Sequence, residues 1–186
     1  MQIDILRHLE SLWQGQLRAG MSLTVWWVYR NDTDAPRWVN TLNRFGEFFL
    51  PDIRAHLIVA VIALYYPYDR TKGTDNFKRT LRLARSRKLP DAVLLKAKEL
   101  VEEAEPIAQK VGLLRNKRFA HLASGASSDE VFDRASLSPN EMMWLLDRNF
   151  AVINLIRDAH EHWSESRTVG GTERHLRNVL ERLERD

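Results

Sequence analysis

The 186 residues carry 28 Lys and Arg against 25 Asp and Glu, a formal net charge of +3, with 44% hydrophobic residues and no cysteine. That length suits one domain with a real core, burying roughly two-thirds to three-quarters of its unfolded surface. Without cysteine there is no disulfide framework, no thiolate nucleophile and no Cys-based zinc site.

The opening MQIDILRHLE places Asp4 and Glu10 where a secretory leader would place cations and an apolar run, so a cytoplasmic location is expected. Ile3, Leu6, Leu9 and Trp13 form a helical stripe, and Leu17 to Tyr29 either extends that helix past Gly20 or begins another. Asp34 is a fair N-cap with Pro36 in the first turn. From there Trp38, Val39, Leu42, Phe45 and Phe49 recur at helical steps, with a kink expected at Pro51 and resumption through Ile53, Leu57, Val61 and Leu64. The run LIVAVIALYY, Leu57 to Tyr66, falls short of the ~20 residues of a spanning helix and reads as buried core.

YYPYDRTKGTDN is a loop by its Pro, Gly and Asp content, and Thr74 or Asp75 is expected to cap a short basic helix ending near Lys88. Asp91 caps the next helix, whose stripe runs from Val93 to Leu114 and which should bend at Pro106. SGASSDE is a polar linker. Ser138 then opens SPNE, a capping-box pattern with proline in the first turn, starting a helix that should run to about Trp163. RTVGGTE separates off a last amphipathic helix, Thr172 to Leu183. Its Leu176, Val179, Leu180 and Leu183 need a surface, either their own bundle or a second subunit. No stretch alternates like a strand and no repeat appears. The expected fold is an all-α, up-and-down helical bundle of five to six helices, with residues 1–165 as the bundle and 166–186 as a linker and C-terminal amphipathic helix.

Charge is unevenly distributed. Residues 70 to 118 hold fourteen Lys and Arg against six acids, a net of +8, which leaves −5 for the rest. Such a segment points to an anionic partner, nucleic acid first, although a solvated, salt-bridged face is the simpler reading of charge alone.

A glycine-rich phosphate loop, a His-Glu-x-x-His pair and a serine nucleophile elbow are all missing. His160 and His162 point about 200° apart on a helix and cannot chelate one metal. No metal site and no cofactor are expected. An Arg followed after four to six residues by a His occurs twice, Arg115 with His121 and Arg157 with His162. With 21 Arg and six His in the chain, random placement also gives about two such pairs. Spacing alone therefore decides nothing.

The residues around the first pair do. LLRNKRFAHL, Leu113 to Leu122, resembles the Arg-Asn...Ala-His signature of the HEPN superfamily, and the order of long N-terminal helices, a loop with Asp69, a basic helix and then the motif resembles its subgroup of U-type abortive-infection proteins. The resemblance implies a small α-helical bundle that commonly dimerises and, in many members, a metal-independent endoribonuclease acting as a toxin or antiviral effector. It carries over to Arg115, Asn116 and His121 as catalytic positions, with Lys117 and Arg118 beside them as RNA contacts. The implied partners are RNA, a second copy of the chain, and an antitoxin or regulatory protein. Relatives silenced by nucleotide transfer often carry Tyr two residues after the His; Ala123 stands there, so that control is not expected.

The chemistry suits metal-free RNA cleavage: imidazole can move the 2′-OH proton and guanidinium can hold the phosphorane. Lys117 and Arg118, at i−4 and i−3, disfavour the imidazolium and so favour a neutral, basic His121. On a regular helix Arg115 and His121 lie about 120° apart. Either the helix is irregular there, or the site joins Arg115 of one subunit to His121 of another. A helical module that binds RNA or protein through the same basic groove without cleaving is the alternative. For Arg157, Asp158 and His162, salt pairs on an amphipathic helix are the expected role. Trp26, Trp27 and Trp38 are expected in the core or an interface, and Tyr68 beside Arg70 could stack a base if exposed.

Overall fold

The computed structural model describes residues 5–31, 33, 35–121, 136–160 and 172–185, without the side chains of 117–121 and 185. Its elements are α1 (Ile5–Arg30), α2 (Ala35–Arg44), α3 (Gly46–Tyr65), a 3-10 turn (Tyr66–Tyr68), α4 (Phe77–Ser86), α5 (Asp91–His121), α6 (Pro139–Ala159) and α7 (Thr172–Arg185). The described residues are thus all-α, as expected.

The described residues hold seven α-helices rather than five or six, because the expected Trp38 to Leu64 helix is broken. The break falls at Phe45 (φ −112°, ψ 36°), immediately before Gly46, and not at Pro51. Pro51 lies inside α3. The apolar spacing carries straight across Phe45, so periodicity could not reveal the break. At the other uncertain point the helix simply continues: α1 runs unbroken through Gly20.

α1 is the central element, packing against α3, α6, α4 and α7. Ala19, Leu23 and Trp26 meet Leu57, Val61 and Leu64 of α3, Ala104, Ala108 and Leu114 of α5, and Met142 and Leu145 of α6. A second cluster joins Ile5, Leu9 and Trp13 to Phe77, Leu94, Ala97 and Ile153, so α5 and α6 run antiparallel. A third joins Val25, Val28 and Tyr29 to Trp38, Phe49 and Leu180. The stripe on α7 therefore buries against its own bundle, which settles one of the two options left open for it. Leu180 is fully buried, while Val179 is exposed. Trp26 and Trp38 are core; Trp27 is partly exposed.

The helix ends follow from local chemistry. Ser138 forms the expected capping box with Glu141: its Oγ accepts from the Glu141 N–H, and Glu141 accepts from the Ser138 N–H at 2.7 Å. α4 is capped by Asn76, whose Oδ1 accepts from the Arg79 N–H at 2.9 Å, and not by Thr74 or Asp75. Asp75 is engaged elsewhere, 2.7 Å from His8 Nδ1. The chain leaves α4 through Lys88 in the left-handed region (φ 59°), where the Leu89 N–H reaches back to the Ala84 carbonyl.

The apolar run in α3 is core on one face only. Leu57, Ala60, Val61 and Leu64 are buried, while Phe48 and Leu50 are 66% and 60% exposed and Val59 and Ile62 face outward as well. The whole stretch Gly46–Tyr68 is long and apolar enough to cross a bilayer by length and composition, with 28% of its apolar window buried in the bundle.

Candidate functional site

The 3-10 turn after α3 delivers Asp69 to α5. Tyr68 is held from beneath: its hydroxyl donates to Asn149 Oδ1 at 2.8 Å, and Asn149 Nδ2 donates to Gln16 Oε1 (2.9 Å) and to the Leu64 carbonyl (3.2 Å). Gln16 and Asn149 are fully buried, so this polar net ties α1, α3, α6 and the turn together in the interior. Burial raises the Tyr68 pKa and keeps the phenol protonated. With its hydroxyl taken and its ring edge-on to Phe77 (5.4 Å, 88°), Tyr68 is not an exposed base-stacking platform.

Asp69 folds the loop that follows. Its carboxylate accepts from the Thr71 hydroxyl (2.6 Å) and N–H (2.9 Å), and its carbonyl accepts from Thr74 Oγ1 and Asn76 Nδ2. The Thr71 hydroxyl first, then its N–H and the charge of Arg115, hold the Asp69 pKa below the usual carboxylate range against the opposing effect of burial. Asp69 is therefore an anion at neutrality.

Arg115, about two and a half turns beyond Pro106 on α5, points at that anion. Nη1 lies 3.2 Å from Asp69 Oδ2, and the guanidinium carbon lies 5.1 Å from the centroid of Tyr65. Tyr65 can lie there because position 112 is glycine: a Cβ at that point would come within 2.6 Å of Tyr65 Cε2. The Arg115 side chain is 31% exposed and that of Asp69 17%, so Arg115 is seated but reaches the surface. Among the described residues Asp69 takes one of its five N–H donors. Asn116 next to it is exposed. Five residues earlier, Lys110 Nζ donates to Glu141 Oε1 at 2.6 Å, pinning the start of α6 to α5; this bond first, then the Ser138 N–H, lowers the Glu141 pKa.

α5 continues without a break to His121, its last residue. A regular helix across Arg115 to His121 leaves their Cα–Cβ directions about 120° apart. The irregular-helix option for bringing them together thus fails. The side chains of Lys117, Arg118, Phe119 and His121, and all of Leu122 and Ala123, lie outside the described residues.

The second Arg/His pair is split by the same limit, since His162 is outside the described residues. Arg157 is on α6 and makes the expected salt pair, its Nε 3.9 Å from Asp158 Oδ1, but it is not solvated. Its side chain is 12% exposed, with the guanidinium 4.5 Å from the centroid of Trp13. It acts as core lining for α1. Another buried polar group had no signal in the sequence. His8 Nε2 lies 2.8 Å from Thr80 Oγ1, and Asp75 Oδ1 lies 2.7 Å from Nδ1 without hydrogen-bond alignment, joining α1 to the start of α4. Burial, the largest influence, lowers the His8 pKa although Asp75 opposes it. Among the described residues no three His, Asp or Glu side chains gather as a metal ion would need.

On comparison with known proteins, the family model HEPN_AbiU2, described as AbiU2, matches residues 3–184. Neither the curated proteins nor the solved structures contain a match.

Proposed function

Because the chain belongs to the AbiU2 family of HEPN domains, which the match over nearly its whole length shows, we propose that it is a metal-independent endoribonuclease acting as a toxin or abortive-infection effector. The observation that carries this reading is Arg115: a guanidinium seated by Asp69 and Tyr65, reaching the surface beside exposed Asn116 on the helix that ends at His121. A seated arginine meets a phosphate with less entropy loss than a free one.

In the proposed reaction His121 takes the 2′-OH proton, the 2′-oxygen attacks phosphorus, and the P–O5′ bond breaks as the leaving oxygen gains a proton. The products are a 2′,3′-cyclic phosphate and a 5′-OH. Arg115 and Asn116 bind the phosphorane oxygens, and Lys117 and Arg118 hold flanking phosphates. Since a regular helix sets the Arg115 and His121 side chains about 120° apart, a dimer that sets His121 of the partner subunit opposite Arg115 completes the site. The exposed apolar face of α3, with Phe48, Leu50, Val59 and Ile62, is surface that self-association would cover. No cofactor is invoked. An antitoxin or regulatory protein fits the family context as a further partner.

One observation favours a second reading, a module that binds RNA or protein without cleaving: Arg115 is already paired with Asp69. The two separate on variants. In the nuclease, His121→Ala abolishes cleavage and leaves RNA affinity nearly unchanged, while Arg115→Ala lowers both, with a rate loss of roughly a hundredfold or more, about 3 kcal/mol. In the binding module no cleavage occurs, Arg115, Lys117 and Arg118 substitutions weaken binding with a shallower salt slope, and His121→Ala has no effect.

A further inference from the structure

A cleft of about 230 Å³ opens between the 3-10 turn, α4 and the first half of α5, and the Arg115 site does not use it. Its floor is apolar, made by Pro67, Leu81 and Val101. Its rim carries Arg70, Lys78 and Lys98 together with Glu102 and Glu105. We propose that this cleft is a nucleobase subsite for the RNA strand, selecting bases that carry an exocyclic amine over uracil. The proposal rests on the RNA-cleavage reading and adds its base preference.

Size argues for a single ring system. Pockets for whole drug-sized ligands run to roughly 300–1,000 Å³, so this one suits a base rather than a nucleotide. An apolar floor between two helices is what a base face needs for stacking and dispersion contact.

Charge sets where the rest of the strand goes. From Arg70 to Lys88 there are eight Lys and Arg against one acid, Asp75, a net of +7 in the stretch that gives the cleft Arg70 and Lys78. Lys72, Lys78, Arg82 and Arg85 of this strip are exposed. Phosphates follow such a strip, and they avoid Glu102 and Glu105. Those two carboxylates can still meet a base edge. They accept from the amino groups of adenine N6 or cytosine N4, whereas the one donor on the uracil edge, N3–H, is flanked on both sides by carbonyl oxygens that a carboxylate repels. Glu102 and Glu105 now hold Lys98 at 3.4 Å and Arg70 at 2.7 Å. Both pairs are exposed, so exchanging the cation for a base amine costs little, and Arg70 is released toward phosphate.

The cleft is also in register with the reaction site. Asp69, which seats Arg115, precedes Arg70 on the rim, and Glu105 lies ten residues before Arg115 on α5, roughly 15 Å along the helix axis. A strand with its scissile phosphate at Arg115 places a base a few nucleotides away in the cleft.

Fluorescence anisotropy with labelled hexamers of adenylate, cytidylate and uridylate tests this, using the full chain with His121→Ala to prevent cleavage. The adenylate and cytidylate hexamers should bind about fivefold or more tightly than the uridylate. Val101→Trp, which fills the floor, should erase the difference. Glu102→Ala, at an exposed position that folding does not depend on, should narrow it even if the tryptophan variant fails to fold. Equal affinity for all three hexamers overturns the subsite and leaves the nuclease reading standing, as does a preference that Glu102→Ala leaves undiminished. Failure to bind any hexamer overturns the RNA reading and the subsite with it.

Discussion

Tyr65 lies so close over Gly112 that an alanine Cβ would sit 2.6 Å from its Cε2 atom, and the same ring carries the Arg115 guanidinium. Gly112→Ala gains about 1 kcal/mol of helix propensity, which offsets much of the cost of tilting a half-buried ring. The fold should therefore hold, with a melting temperature within a few degrees of the parent. The seat of Arg115 should not: RNA affinity and cleavage fall severalfold. Parallel melting and binding measurements check this, and a variant with lower stability but full activity would show that Tyr65 serves packing alone.

The Tyr68, Asn149 and Gln16 net should behave as a structural brace. Asn149→Leu strands the Tyr68 hydroxyl, the Gln16 amide oxygen and the Leu64 carbonyl in the interior. Each unsatisfied group costs about 1–3 kcal/mol, so a total loss of roughly 3 kcal/mol or more is expected in urea unfolding. Tyr68→Phe, which removes one bond of the net, should cost about 1–2 kcal/mol.

How much of this was legible in the sequence depended on the range of the interaction. The Ser138 and Glu141 capping box is written in four consecutive residues and could be read directly. The Asn76 cap could not, because Thr74, Asp75 and Asn76 can all cap a helix and the side chain that engages Asp75 is His8, 67 positions earlier in the chain. Amphipathicity showed that Leu176 and Leu180 must be buried, but not that α1, α2 and α3 bury them. In the site, Arg115 and Asn116 were visible through the family signature. Asp69 was visible only as a loop residue. Its pairing with Arg115, and the need for glycine at 112 beneath Tyr65, arise from the packing of α3 and the turn on α5, which no local pattern encodes.

Acid should weaken the fold through His8. Burial lowers its pKa in the folded protein from the ordinary 6.5, with Asp75 and the Asn76 carbonyl opposing and Arg79 reinforcing the shift. The unfolded chain then binds the extra proton first. His8 therefore contributes stability that is complete above about pH 6.5 and is lost as pH falls from there through the folded-state pKa. Melting temperatures at pH 7.5 and 5.5 should differ more in the parent than in His8→Gln; an equal drop in both would remove His8 as the cause.

A site shared between subunits predicts complementation. Arg115→Ala and His121→Ala are each inactive alone, because every site in either homodimer lacks one group. When the two are unfolded together and refolded as a mixture, half of the dimers carry both variants, and each of these has one complete site of two. Activity should return to about a quarter of the parent value. No recovery, in a mixture shown by tagged copies to contain mixed dimers, would place Arg115 and His121 of the same chain in one site.

The most direct test of metal-free RNA cleavage is to incubate the purified protein with mixed RNA in excess chelator and identify the ends of the products. Cleavage should persist, leave 2′,3′-cyclic phosphate and 5′-OH ends, and be absent with DNA, which lacks the attacking hydroxyl. Loss of cleavage in chelator with recovery on adding magnesium, or an undiminished rate in folded His121→Ala, would contradict it.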